Sequence, residues 1–202
     1  MISEQSQPAP SPKRRYAFHA FPASALLLLV AIGIVNAIPL QAVSPGAPGS
    51  AQAGSLPSDL INYFAGNWSG KGKFASSGKN LESDFSFVPD PETKSLLVRQ
   101  KEKPPNTFRF TALWSVDSVS GQPVMLLVSN HDSGGRLFRS DGWKDGKIVF
   151  QSGPELHASF ALERFTFERE SATAFHTTYE MSFDHGKTWT VGDHQTFTKA
   201  AP

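Results

Sequence analysis

The chain has 202 residues, 39% of them apolar, 11% aromatic and 18% charged, with no cysteine. That composition suits one folded domain and removes disulfides, thiolate metal ligands and a cysteine nucleophile together. The formal net charge is +1, and setting aside Lys13, Arg14, Arg15 and Glu4 leaves 16 basic against 17 acidic residues, too even a balance to recruit nucleic acid or free cations by a long-range field.

Residues 1–42 read as a leader. A basic flank ending at Arg15 precedes an apolar run from Ala23 to Val35, with Pro39 soon after. A membrane span needs about 20 residues, whereas a signal-peptide core needs about 7 to 15, so the run predicts export to the periplasm or the exterior. Small-residue cleavage sites end at Ala37, Ala42 and Ala53. The alternative is an uncleaved inner-membrane anchor through residues 23–40. Arg14 and Arg15 are followed by Tyr-Ala-Phe, which departs from a twin-arginine signal. Residues 43–58, rich in Pro, Gly, Ser and Ala, form a flexible linker, and residues 56–200 are the folded domain, long enough to be held by its core alone.

Within that domain Leu60, Ile61 and Phe64 recur at helical spacing behind Ser58 or Asp59, either of which suits an N-cap. This predicts a helix of one or two turns that closes one end of the strand-rich remainder. From Trp68 onward apolar residues recur with period two, broken by Gly, Pro, Asn or Asp clusters, the pattern of consecutive antiparallel strands. The expected strands are 67–75, 80–88, 94–102, 107–116, 123–130, 136–143, 147–152, 157–169, 173–183 and 188–198. Ten strands joined by hairpins predict an all-β fold, an up-and-down antiparallel β-barrel whose closure removes exposed sheet edges. In the eighth strand Phe160 and Leu162 are out of phase with Phe165 and Phe167, which predicts a bulge near Glu163 and Arg164.

In the first strand Trp68, Gly70, Gly72 and Phe74 share one face, so two rings flank two bare positions where another part of the chain can pack closely. The helix followed by Gly66-x-Trp68-x-Gly70-x-Gly72 resembles the start of lipocalin-like, calycin-type barrels. It is most similar to an uncharacterised bacterial lipocalin-like family that also carries a late hairpin Ser-x-Asp-x-Gly-Lys-Thr-Trp, here Ser182 to Trp189. The resemblance spans Leu56 to Lys199 and implies a barrel of the lipocalin or fatty-acid-binding-protein kind, with Trp68 a structural residue at the closed end. Lys199 is then placed to stack on Trp68 as a cation–π pair. The hairpin also resembles the Asp-box of sialidase-like propellers, in which Asp184 would cap backbone donors, Gly186 would take positive φ and Trp189 would pack beneath. A propeller would repeat the box every 40 to 50 residues or so, and it occurs here once.

No Gly-x-Ser-x-Gly elbow, phosphate-cradling loop or His-Glu-x-x-His helix is present, so no catalytic residue is assigned. His176, His194 and Glu180 share a strand face if the last hairpin loop has an odd number of residues, and two nitrogens with a carboxylate could hold zinc. The chain's start also resembles haem-binding nitrobindin-type barrels, whose proximal histidine lies on the last strand. His194 matches by position, although the residues around that histidine in the family are not found here. Cofactors are otherwise expected to be none. The domain carries 14 of the 16 Phe and all 4 Trp. Phe108, Phe110 and Trp114 share one strand face, and Phe175 and Tyr179 share another. With Arg99 or Arg109 as a polar anchor these would line a site for a small apolar or amphipathic molecule. The competing expectation is an interior filled solidly by those rings, giving a structural or interaction module.

Overall fold

The computed structural model describes residues 54–131, 134–153 and 161–200. The leader and most of the linker lie outside the described residues. Helix α1 (Ser58–Phe64) is followed by β1 (Gly66–Phe74), β2 (Asn80–Asp90), β3 (Ser95–Glu102), β4 (Arg109–Val116), β5 (Pro123–Ser129), β6 (Gly135–Arg139), β7 (Lys147–Ser152), β8 (Leu162–Arg169), β9 (Ala174–Ser182) and β10 (Thr190–Lys199). Each strand pairs antiparallel with the next, and β1 pairs with β10 to close the barrel. The period-two alternation becomes an inside and an outside. In β4 Phe110, Ala112 and Trp114 are buried, while Leu113 between them is exposed. Outside, Leu97, Leu113, Leu126 and Leu137 stand opposite one another on β3 to β6, a cross-strand apolar row of the kind that stiffens a sheet.

Closure brings β10 against β1, and this explains the two glycines. A Cβ on Gly70 would stand 2.2 Å from the Phe197 ring, and one on Gly72 would stand 1.8 Å from the His194 carbonyl oxygen. The bare positions are therefore filled by the last strand of the chain.

Helix α1 plugs one end. Phe64 is fully buried, with its ring centroid 5.1 Å from Phe87, 5.5 Å from Trp114 and 5.3 Å from Phe175. The Trp68 indole donates to the Phe64 carbonyl at 2.7 Å, and Lys199 Nζ lies 5.1 Å from the Trp68 ring centroid, the expected cation–π contact. Neither Ser58 nor Asp59 caps the helix. Pro57 holds the N-cap position without a side-chain bond, and the Asp59 carboxylate instead accepts from Trp143 Nε1 at 2.7 Å. That bond and the Tyr63 hydroxyl's donation to the Ala174 carbonyl at 2.6 Å tie the plug to the wall.

The bulge expected at Glu163 and Arg164 is absent. β8 pairs with β9 in continuous register from Leu162 to Arg169, so Glu163, Phe165 and Phe167 share the inner face and Leu162 faces out. The phase change marks a buried charge on the inner face. The interruption lies in β10, where the register shifts between Val191 and Asp193. The bulged residue, Gly192, has the Tyr179 ring 2.7 Å from where a Cβ would sit, and beyond it Asp193 is directed inward.

Candidate functional site

Because the strands alternate in direction, the end of β1 and the start of β2 lie opposite α1, as do the matching ends of the other strands. There the described residues leave part of the lumen unfilled. A cavity of about 450 Å³ lies between Phe74, Phe108, Phe110, Leu127, Phe165 and Met181, with polar side chains reaching in from β3, β6, β8, β9 and β10. This is within the size range of small-molecule sites, which run from roughly 300 to 1,000 Å³. A larger depression of about 740 Å³ runs outside the wall past Arg139, Asp141, Lys144 and Lys147, but it is an open, charged groove.

The polar groups fall into two clusters. In the first, Arg136 of β6 forms an ion pair with Glu163 of β8, both more than nine-tenths buried. The Tyr179 hydroxyl donates to Glu163 Oε1 at 2.6 Å, and the Glu163 amide donates to Ser152 Oγ at 2.8 Å. Burial, then the Glu163 charge, pushes the Tyr179 hydroxyl well above the usual phenol range, so it stays a donor. Such a pair is costly to desolvate and holds because each charge is met by the other and by hydrogen bonds.

The second cluster is acidic. Glu102, at the end of β3, is 8% exposed and is pushed up to about 7 by burial and then by the nearby Asp193 charge, against a lowering bond from the Phe108 backbone. Asp193, just past the bulge, is pushed up to about 6 by burial, partly offset by a hydrogen bond from Gln195 and by His194. Gln195 is itself oriented by Ser83, whose hydroxyl donates to Gln195 Oε1 at 2.6 Å. That fixes the amide so that Nε2 faces Asp193, 3.4 Å from Oδ1.

Of the residues expected to bind a ligand, Phe108, Phe110 and Tyr179 line the cavity. Trp114 and Phe175 do not reach it: both are packed around Phe64 in the filled half. Arg99 and Arg109 are exposed on the outer wall, because on β3 and β4 they are out of phase with Gln100 and Phe110, so neither can anchor a molecule in the lumen. His176, His194 and Glu180 do share a face, but it is the outer one. His176 Nδ1 contacts Thr196 Oγ1 and His194 Nδ1 contacts Thr178 Oγ1, each at 3.0 Å. Glu180 is held by Arg164 in two bonds of 2.7 Å. Among the described residues no three His, Asp or Glu side chains are grouped to hold a metal ion, and His194 turns away from the space a haem would need.

The hairpin signature has the expected turn geometry. Asp184 accepts from the Thr188 amide at 2.9 Å, from the Thr188 hydroxyl at 2.6 Å and from Ser182 Oγ at 2.8 Å, which lowers its carboxyl to about 2. Gly186 has φ 85°, and Arg164 stacks over Trp189 at 4.2 Å. Gly66 has φ 113° between α1 and β1, a region that favours glycine. Arg136, Glu163, Glu102 and Asp193 were not picked out from the sequence, although each had a visible signal: Arg136 is in phase with Phe138, Glu102 with Val98, Glu163 with Phe165 and Asp193 with Phe197.

No family model matches the chain, and no curated protein matches it. Among solved structures it is similar to a de novo designed fluorescence-activating β-barrel (TM-score 0.39, 13% identity, 70% of this chain and 98% of that one). It is also similar to the S-type phycobiliprotein lyase CPES from Guillardia theta (TM-score 0.47, 10% identity, 72% and 93%). A third is EF1p2_mFAP2b bound to DFHBI (TM-score 0.36, 9% identity, 75% and 99%).

Proposed function

We propose that this is an exported lipocalin-like barrel that binds one small amphipathic molecule in the half of its lumen opposite α1, without transforming it. The cavity of about 450 Å³ carries the reading. Its surface is largely apolar with Phe and Tyr rings prominent, polar groups from several strands converge on it, and it is enclosed by a sheet with no free edge. A structural module would need no such space, and the helix-side half shows how completely these side chains can fill a lumen. The leader pattern supports export, and the Gly66 to Gly72 start with the Ser182 to Trp189 hairpin supports the lipocalin-like kinship.

The test is native mass spectrometry of protein purified from its own host, with titration of the neutral probe N-phenylnaphthylamine. One small molecule or one probe per barrel is expected, and Thr177→Trp, which places a large ring among the lining residues, should abolish probe binding. A mass equal to the polypeptide alone, together with no probe binding, would remove the proposal.

A further inference from the structure

We infer that the molecule bound in this cavity carries a cationic head, an ammonium or guanidinium, seated between Glu102 and Asp193, with its apolar body against Phe74, Phe108 and Phe110. The inference rests on the proposed binding in the barrel and narrows it to one charge class.

It follows from how the interior charges are matched. Arg136 and Glu163 answer each other, and Tyr179 adds a donor to that pair. No equivalent exists on the other side. Among the described residues neither Glu102 nor Asp193 forms an ion pair. Glu102, a residue more than nine-tenths buried, lines the cavity with only the Phe108 backbone to meet its carboxylate, and Asp193 has the long bond from Gln195 Nε2 and the neighbouring His194. A buried carboxylate without a cation is destabilising, and two near each other more so. Asp193 faces inward in phase with Gln195 and Phe197, and Gln195 beside it is oriented through Ser83, an arrangement that core packing does not require.

Burial and, for Glu102, the nearby Asp193 charge favour the protonated form of each group. A cation between them would supply both the charge and the hydrogen-bond donors, and aromatic faces complete its surroundings: Phe74 stands opposite Asp193 in the β1–β10 register, and the Glu102 amide is bonded to the Phe108 carbonyl at 2.9 Å. A fatty acid, sulfate or phosphate head would meet like charge instead. Among the described residues the other charged or titratable groups at or beside the cavity are Arg136 with Glu163, Tyr179, His131 and the outward-facing His194. Of these Arg136 is held by Glu163. Cation binding should therefore release protons and tighten as the pH rises through the range where Glu102 and Asp193 ionise.

The test is calorimetric titration of the full chain with three probes sharing one tail, decylammonium, decanol and decyl sulfate, at pH 8 and pH 5. At pH 8 the ammonium probe should bind at least about tenfold more tightly than decanol, with decyl sulfate weakest, and the preference should shrink at pH 5. Glu102→Gln and Asp193→Asn should each reduce the ratio of ammonium to decanol affinity. Equal binding of ammonium and decanol, tighter binding of the sulfate, or a preference unchanged in both variants would overturn the cationic head while leaving the binding barrel intact. Failure of all three probes to bind would overturn both.

Discussion

Replacing Glu102 by Gln tests the acidic cluster without any ligand. In the folded chain this carboxyl is raised from 4.5 to about 7, so between those values the native state holds a proton that the unfolded state has released. The native state is favoured wherever it binds more protons, so this contribution is complete below about pH 4.5 and is lost as the pH rises through about 7. A shift of this size corresponds to about 3 kcal/mol at about 1.4 kcal/mol per pKa unit. Glutamine resembles the protonated acid and does not titrate. The variant should match the wild type near pH 4.5 and exceed its stability by up to about 3 kcal/mol near pH 8. Asp193, pushed up to about 6, titrates in both proteins and its charge raises Glu102, so their difference reports Glu102 together with its repulsion from Asp193. Equilibrium urea unfolding followed by circular dichroism at half-unit steps from pH 4.5 to 8.5 measures it. Parallel stability curves for the two proteins across that range would refute the buried, unmatched Glu102.

At the closed end, Trp68→Ala should cost roughly 3 to 5 kcal/mol, as for other buried large aromatics, and a variant that melts like the wild type would contradict the role of that ring. Trp68→Phe should cost more than Trp114→Phe in the same melting assay, because the Trp68 indole donates to Phe64 while Trp114 Nε1 has no hydrogen-bond partner to lose. Gly72→Ala should destabilise more than Gly70→Ala, since its Cβ would meet the His194 backbone oxygen whereas the other would meet a ring; denaturant midpoints in the reverse order would count against that packing. Arg136→Met should lose about 3 to 5 kcal/mol by leaving Glu163 buried and unmatched, and adding Glu163→Leu should recover much of it. A double variant no more stable than the single one would show that the cost lies elsewhere.

Short-range information determined the barrel wall. Alternation at each strand, turn-forming residues between strands and the bare positions at Gly70 and Gly72 are local facts, and neighbouring antiparallel strands convert them directly into an inside, an outside and a closed ring. The same parity could also have exposed Glu163 as an inward charge, but a lone carboxylate among phenylalanines looks like a change of phase until its partner Arg136, 27 residues away, is seen beside it. Arg99 and Arg109 show the opposite case, where charge suggested an anchor and parity already placed it outside.

What only the tertiary structure decided is which half of the lumen is occupied and which acids face it. Similar alternation runs along the strands at both ends, yet one end is packed because α1 inserts Phe64 among rings drawn from β2, β4, β8 and β9, while at the other the described residues leave a cavity. Asp193 is in phase with Gln195 and Phe197 on its own strand, but only the closed barrel places it near Glu102 of β3, whose carboxyl its charge raises. Volume and charge matching are sums over many strands, so no single strand's sequence records them.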